Sequence, residues 1–251
     1  VIFFRKKLYL SPDGRIEVRR KSYGGAEVRM LLVDGTRESA TFEKKSKRCE
    51  PVFDYIKTFA ALLLIHPEFS ETLLIGGAGC SLPKYLLMRF PKKRMEVVEK
   101  DALMVELANR YFYLEDAVQR YDPHRERLSV TVMDGYDYLC KIERRYDVIF
   151  NDAFTGCVAD ARLSSEAGIS LIQKRLKQNG MYVMNLVAEP DGTVRKRLET
   201  RLKKYFRTVQ VQLLEPDRQG KEKQNIIVSA SNEERKNGED ADTGLWLIET
   251  E

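Results

Sequence analysis

The chain has 251 residues, 43% of them hydrophobic and 32% charged, with a formal net charge of +5. That is enough for one large domain, or one domain with a small appendage, and enough apolar residues to bury a core. No run of about 18 apolar residues occurs, which excludes a helical membrane span in the sequence, and the opening Val1-Ile2-Phe3-Phe4 passes at once into charge, so a cytoplasmic protein is expected.

Cys49, Cys80, Cys140 and Cys157 are widely spaced, form no CxxC pair and have only His66 and His124 to supplement them. Reduced structural thiols and no metal site are the expectation. Basic clusters at 44–48, 92–94 and 201–207 have acids nearby and few aromatics, which argues for solvated faces rather than a nucleic-acid surface.

In chain order, residues 1 to about 45 alternate as β-strands do: Leu8 to Leu10, Ile16 to Val18 and Val28 to Val33. The turn pairs Asp13-Gly14, Gly24-Gly25 and Asp34-Gly35 separate them, which predicts antiparallel hairpins. A helix is expected from Glu50-Pro51 to just before His66-Pro67, with Phe53, Ile56, Phe59, Ala60 and Leu63 on recurring faces. Then come a short buried strand (Leu73, Leu74, Ile75), a turn built on Gly76, Gly77 and Gly79, and a helix carrying Leu82, Leu86 and Leu87. Glycines there let a ligand approach the backbone, and the free N–H groups of the helix start favour electron-rich groups; an ordinary turn has the same composition.

A second apolar strand, Met95 to Val98, ends in Glu99-Lys100-Asp101, and a helical run from Leu103 to Tyr111 leads to a polar connection at Asp122-Pro123-His124. Leu128 to Met133 forms a third strand, ending in Asp134-Gly135, with Tyr138 and Leu139 in the next helix. Tyr146 to Phe150 forms a fourth, ending in Asn151-Asp152-Ala153-Phe154. A helix from Ser164 to Lys177 is expected to stop at Asn179-Gly180, before a fifth strand from Met181 to Leu186. Strands alternating with helices at this spacing imply parallel βαβ units. A helix from Thr193 to Lys204 follows. Val209 to Leu214 and Asn225 to Ser229 then read as an antiparallel hairpin at the sheet's end, and a polar tail carries Leu245 to Ile248.

Glu99, Asp134 and Asp152 each fall just past the carboxyl end of a predicted parallel strand. In open α/β sheets that edge is the ligand crevice, so one pocket would collect the three acids and the glycine turn. A lone acid at such a place also serves as a helix cap.

The segments LLVDG, LLIGGAGCSLPKYL, VVEKDALMVELANRYF, VTVMDGYDYL, YDVIFNDAF and LSSEAGISLIQKRLKQNGMYVMNL, in this order and spacing, resemble the spermidine synthase-like branch of the class I S-adenosylmethionine-dependent transferases. The resemblance implies an α/β, Rossmann-like, doubly wound and mostly parallel seven-stranded sheet with a C-terminal antiparallel hairpin, preceded by a small N-terminal antiparallel β unit. The expected division is 1–48, 49–232 and a tail 233–251. It also implies that Gly76, Gly77 and Gly79 line the methionine side of the donor. Glu99 would hold the ribose hydroxyls, Asp134 beside Gly135 the adenine amino group, and Asp152 would face the reacting centre. Asp54, Tyr55, Phe154 and Thr155 would shape the acceptor pocket, and the N-terminal hairpins would form a homodimer interface.

Departures from the synthase pattern matter equally. The family's aspartate within the glycine turn is replaced by Gly79, and its second aspartate after the strand by Thr155; a glutamine aligns with Glu38, and a histidine-glutamate pair with Asp54 and Tyr55. An aspartate beside the carboxylate of S-adenosylmethionine would repel it and a glycine would not. The leading expectation is therefore a methyltransferase acting on a small-molecule amine or hydroxyl, with Asp152 orienting or deprotonating the acceptor. The alternative is an aminopropyltransferase using decarboxylated S-adenosylmethionine, with Glu38 or Asp54 supplying replacement charge. A non-catalytic nucleoside-binding protein is the third reading.

Overall fold

Alternating side chains and left-handed turns shape the start of the chain. The structure, a computed structural model, describes residues 7–155, 158–215 and 222–232. Strands β1 (Lys7–Leu10), β2 (Ile16–Tyr23), β3 (Ala26–Val33) and β4 (Thr36–Phe42) pair consecutively and antiparallel. Gly24-Gly25 and Asp34-Gly35 hold positive φ at both positions, the two-residue turn whose twist matches the strands it joins. The hairpins are longer than the sequence pattern indicated, and β4, unnamed in that reading, completes the sheet. Val28, Met30 and Leu32 of β3 join the main core, while Val18 and Leu31 pack with Met104, Leu107 and Phe112.

A 3-10 turn, Lys45–Lys47, leads into α1 (Asp54–Ile65), β5 (Glu71–Ile75), α2 (Ser81–Arg89), β6 (Arg94–Glu99), α3 (Ala102–Tyr111), α4 (Leu114–Tyr121), β7 (Leu128–Val132), α5 (Gly135–Lys141) and β8 (Tyr146–Asn151). The chain continues through β9 (Phe154–Thr155), β10 (Val158–Ala159), α6 (Glu166–Lys174), β11 (Leu176–Ala188), α7 (Thr193–Leu202), β12 (Thr208–Leu213) and β13 (Gln224–Ser231). The large sheet runs β12-β13-β11-β8-β5-β6-β7, parallel from β11 to β7, with β13 antiparallel between β12 and β11. This is the expected doubly wound, seven-stranded architecture. Its strand order reverses between β5 and β8, and a crevice opens at such a switch.

The central strands are buried on both faces, which is why Leu73 to Ile75 and Val148 to Phe150 read as unbroken apolar runs. Each such side chain contributes about 1.5–3 kcal/mol of transfer free energy. Lys84 of α2 is fully buried without a carboxylate: its Nζ donates to Thr41 Oγ1 (2.9 Å), Arg48 O (3.1 Å) and Phe112 O (2.6 Å), binding the small sheet to the large domain. Burial lowers its pKa to about 8.

Three local expectations need correction. Helix α6 ends at Lys174, three residues early, because Leu176 already pairs with Tyr146 in the sheet; Asn179-Gly180 is not a helix stop but lies in an irregularity of β11, where the register against β8 shifts between Leu176 and Met181. Helix α4 was read as connection, yet Leu114, Ala117 and Val118 give it a buried face after Tyr113 adopts a left-handed conformation (φ 63°). The small β9–β10 hairpin was not foreseen at all. The tail 233–251, with Leu245 to Ile248, and Cys157 lie outside the described residues. Among the described residues no helix is long and apolar enough to cross a membrane.

Candidate active site

The turn after β5 is forced to be glycine by what lies against it. Gly76 has φ +87° and donates its N–H to Val98 O (2.9 Å), and a Cβ there would stand 2.7 Å from the backbone carbon of Asp152 and 2.9 Å from Ala153 N. A side chain at Gly77 would run into Val97. The bare backbone of this turn faces Glu99 at the end of β6. Oε2 of Glu99 accepts from the N–H groups of Gly77 (2.9 Å) and Ala78 (3.0 Å), and Oε1 accepts from Asp101 N–H (3.0 Å). Three N–H donors occupy three of the roughly four acceptor positions a carboxylate offers, so one remains for a ligand.

Gly79 sits where β4 crosses the turn. A Cβ would stand 2.9 Å from Ser39 Cβ and 3.0 Å from Phe112 Cδ1, so an acid has no room there unless β4 moves. Ser81 Oγ, at the start of α2, donates to Ala40 O (3.0 Å) and fixes that crossing. Glu38, the residue before Ser39, is half-buried and makes no hydrogen bond or ion pair with any described residue. Burial first, and the charge of Glu99 second, push its carboxyl up to about 7.

Asp152 follows β8, its N–H donated to Ile75 O (2.8 Å) so that it lies directly across from the glycine turn. Asn185 Nδ2 donates to its Oδ1 (3.0 Å), and the Tyr55 hydroxyl also hydrogen-bonds to the carboxyl. Burial outweighs those two bonds, and with Glu38 and Glu99 adding repulsion the carboxyl rises to about 7. Burial and the neighbouring Asp152 and Glu38 likewise raise the Tyr55 hydroxyl well above its usual range. Beneath them, Asn151 donates to Tyr182 OH (2.8 Å) and accepts from Ala153 N–H (3.1 Å), which holds the bend after β8.

Asp134 plays the capping part that an acid before a helix often plays: its Oδ1 accepts from Tyr136 N–H (2.9 Å) and Asp137 N–H (3.2 Å) and pairs with Arg162 (2.6 Å). Among the described residues nothing engages Oδ2. Gly135 is buried against Ile75. Phe154 meets the site through its backbone, Lys100 Nζ lying 3.5 Å from its carbonyl, and the Thr155 side chain lies outside the described residues. Asp54 is not part of the cluster: its side chain is 73% exposed and pairs with Lys57 (2.9 Å) on the solvent side of α1.

The structure therefore draws Gly76, Gly77, Gly79, Glu38, Glu99, Tyr55 and Asp152 together, with Asp134 and Gly135 at the neighbouring strand end. Sequence reasoning missed Asn185, Arg162 and Ser39. Asn185 left a trace, an amide inside the apolar run of β11; its Oδ1 is buried without a partner. No arginine or lysine pairs with Glu38, Glu99 or Asp152 among the described residues, so the pocket attracts cations, and a carboxyl near 7 is suited to take a proton. An open concavity of about 820 Å³ lies elsewhere, lined by Arg145, Lys177, Lys203, Lys204 and Arg207. Its three lysines already pair with Asp147, Glu199 and Glu166.

With this geometry in view, comparison with known proteins is informative. The family model for the spermine/spermidine synthase domain matches residues 52–232. A polyamine aminopropyltransferase of Vibrio vulnificus is 28% identical over 134 residues, 53% of this chain and 43% of that one. The eEF1A lysine and N-terminal methyltransferase of Mus musculus is 28% identical over 169 residues, 61% of this chain and 23% of that one. The chain thus spans less than half the length of either relative. A crystal structure of a probable spermidine synthase from Corynebacterium glutamicum superposes with a TM-score of 0.74 at 20% identity, covering 94% of this chain and 81% of that one, a likeness of fold.

Proposed function

The chain belongs to the spermine/spermidine synthase family, and we propose that it transfers an aminopropyl group from decarboxylated S-adenosylmethionine to a small amine. The observation that carries this reading is the Asp152 cluster: a carboxyl at about 7, oriented by Asn185 and Tyr55 and accompanied by the uncompensated carboxyls of Glu38 and Glu99. The family match and the aminopropyltransferase relatives support it over the methyl transfer that Gly79 suggested.

The residues fit such a donor. The side-chain-free turn at Gly76 and Gly77 leaves space, the remaining acceptor position of Glu99 suits a ribose hydroxyl, and Asp134 Oδ2 suits the adenine amino group. When bound, the sulfonium supplies an electrophilic carbon and a thioether leaving group. Asp152 takes a proton from the acceptor's ammonium and so frees the nitrogen lone pair, while Asn185 and Tyr55 keep its carboxyl aimed. Glu38 and Glu99 offset the positive charge of the amine as water is excluded.

A diamine incubated with the decarboxylated donor tests this: a new, longer polyamine released together with 5′-methylthioadenosine is the expected result, and no new amine across a diamine panel would sink it. Methyl transfer remains as a second reading because Gly79 is wedged against Ser39, leaving no acid in the turn itself, and because a methyltransferase stands among the relatives.

A further inference from the structure

The unpartnered carboxylate of Glu38 has no structural task. It caps no helix, pairs with no base among the described residues and faces inward from β4 beside the glycine turn, where Ser39 fills the space against Gly79. A half-buried anion so placed is costly unless a cation completes it. The backbone supplies the reason for its position: Ser39 Cβ lies 2.9 Å from where a Gly79 side chain would begin, and Ser81 Oγ holds the neighbouring Ala40 carbonyl at 3.0 Å, so β4 is pressed onto the turn and delivers the Glu38 side chain alongside it.

We propose that Glu38 is the donor-selecting residue, the counter-ion for the terminal ammonium of a decarboxylated donor and an electrostatic barrier to the carboxylate of the intact one. The proposal rests on the aminopropyl-transfer reading. A glycine in the turn left the choice of donor open; a carboxylate delivered from the adjacent sheet closes it. Glu99 cannot take this role, since three backbone N–H groups already hold it, and Asp152 lies across the crevice on β8. Charge decides between the two donors because their tails differ only by one carboxylate, which would meet Glu38, Glu99 and Asp152 with no base to offset them.

The test is titration calorimetry of the wild type, Glu38→Gln and Glu38→Asp with decarboxylated S-adenosylmethionine, S-adenosylmethionine and 5′-methylthioadenosine, which has neither ammonium nor carboxylate. Wild type is expected to favour the decarboxylated donor. In Glu38→Gln that preference should fall by about tenfold or more, the worth of one charge-assisted hydrogen bond, with 5′-methylthioadenosine affinity unchanged; Glu38→Asp should keep part of the preference. An unchanged donor ratio in Glu38→Gln while wild type still favours the decarboxylated donor overturns this inference and leaves the aminopropyl reading standing. Equal loss of 5′-methylthioadenosine binding makes Glu38 a structural residue and overturns it too. Preference of the wild type for S-adenosylmethionine, or binding of neither donor, overturns both.

Discussion

Replacing Gly76 by alanine should cost far more than replacing a glycine of similar backbone conformation elsewhere, and the structure says by how much. Gly76 (φ +87°) and Gly24 (φ +56°) both hold positive φ, but an added Cβ at Gly24 meets nothing within 4 Å, whereas at Gly76 it meets the Asp152 and Ala153 backbone at 2.7 and 2.9 Å. The conformational cost, about 1–2 kcal/mol, is common to both. The collision adds about 1–3 kcal/mol at Gly76 alone, since backbone cannot swing aside as a side chain tip can. Gly76→Ala is therefore expected to lose about 2–5 kcal/mol, and Gly24→Ala no more than about 2 kcal/mol. Urea unfolding of the two variants measures this directly, and 5′-methylthioadenosine affinity should fall only in Gly76→Ala, because Asp152 and the turn are pushed apart. Losses equal within about 0.5 kcal/mol, the usual error of such comparisons, would refute the claim that the turn and β8 are in enforced contact.

Asp152→Asn should lower turnover by about 10²–10⁴-fold, the range for a lost general base, with nucleoside affinity retained; a loss under tenfold would remove Asp152 from the chemistry. Turnover of the wild type should rise as pH passes through about 7, where Asp152 ionises, and a profile flat from pH 6 to 8 would contradict that assignment. Stability of the ligand-free protein should move the other way. Glu38 and Asp152 titrate near 7 folded and near 4 unfolded, so the folded chain holds more protons between those values; their contribution is full below about 4 and is lost as pH rises through about 7. Melting temperatures of the wild type against Glu38→Gln and Asp152→Asn across that window check the sign, and a wild type that gains on its variants as pH rises would reverse it. Lys84→Met should cost about 3 kcal/mol by stranding Thr41 Oγ1, Arg48 O and Phe112 O, and a shift in the urea midpoint equivalent to less than about 1 kcal/mol would show those oxygens to be satisfied otherwise.

Much of the fold was legible because the signals were local. Two-residue turns announced the hairpins, and apolar runs at Leu73, Val97 and Val148 announced strands buried on both faces. Acids at strand ends were legible for the same reason: Glu99, Asp134 and Asp152 stand at fixed positions relative to elements that the pattern defines. What the pattern could not carry was long-range. The end of α6 depends on Leu176 finding Tyr146, and β4 matters to the site only because it crosses the glycine turn, a contact between residues 39 and 79 that no periodicity encodes. Asp54 and Tyr55 show the same limit at one-residue scale. Adjacent on α1, they point apart, so the acid pairs with Lys57 in solvent and the phenol reaches Asp152. Asn185 belongs with them, since an amide in a buried strand signals a polar partner without saying which.

The most direct test of the account is a competition. The protein, an equimolar mixture of S-adenosylmethionine and its decarboxylated form, and a diamine are incubated together, and the nucleoside released is identified by mass spectrometry. Aminopropyl transfer at the Asp152 cluster predicts 5′-methylthioadenosine as the product, and predicts its disappearance in Asp152→Asn. Release of S-adenosylhomocysteine instead would contradict the account and assign the site to methyl transfer.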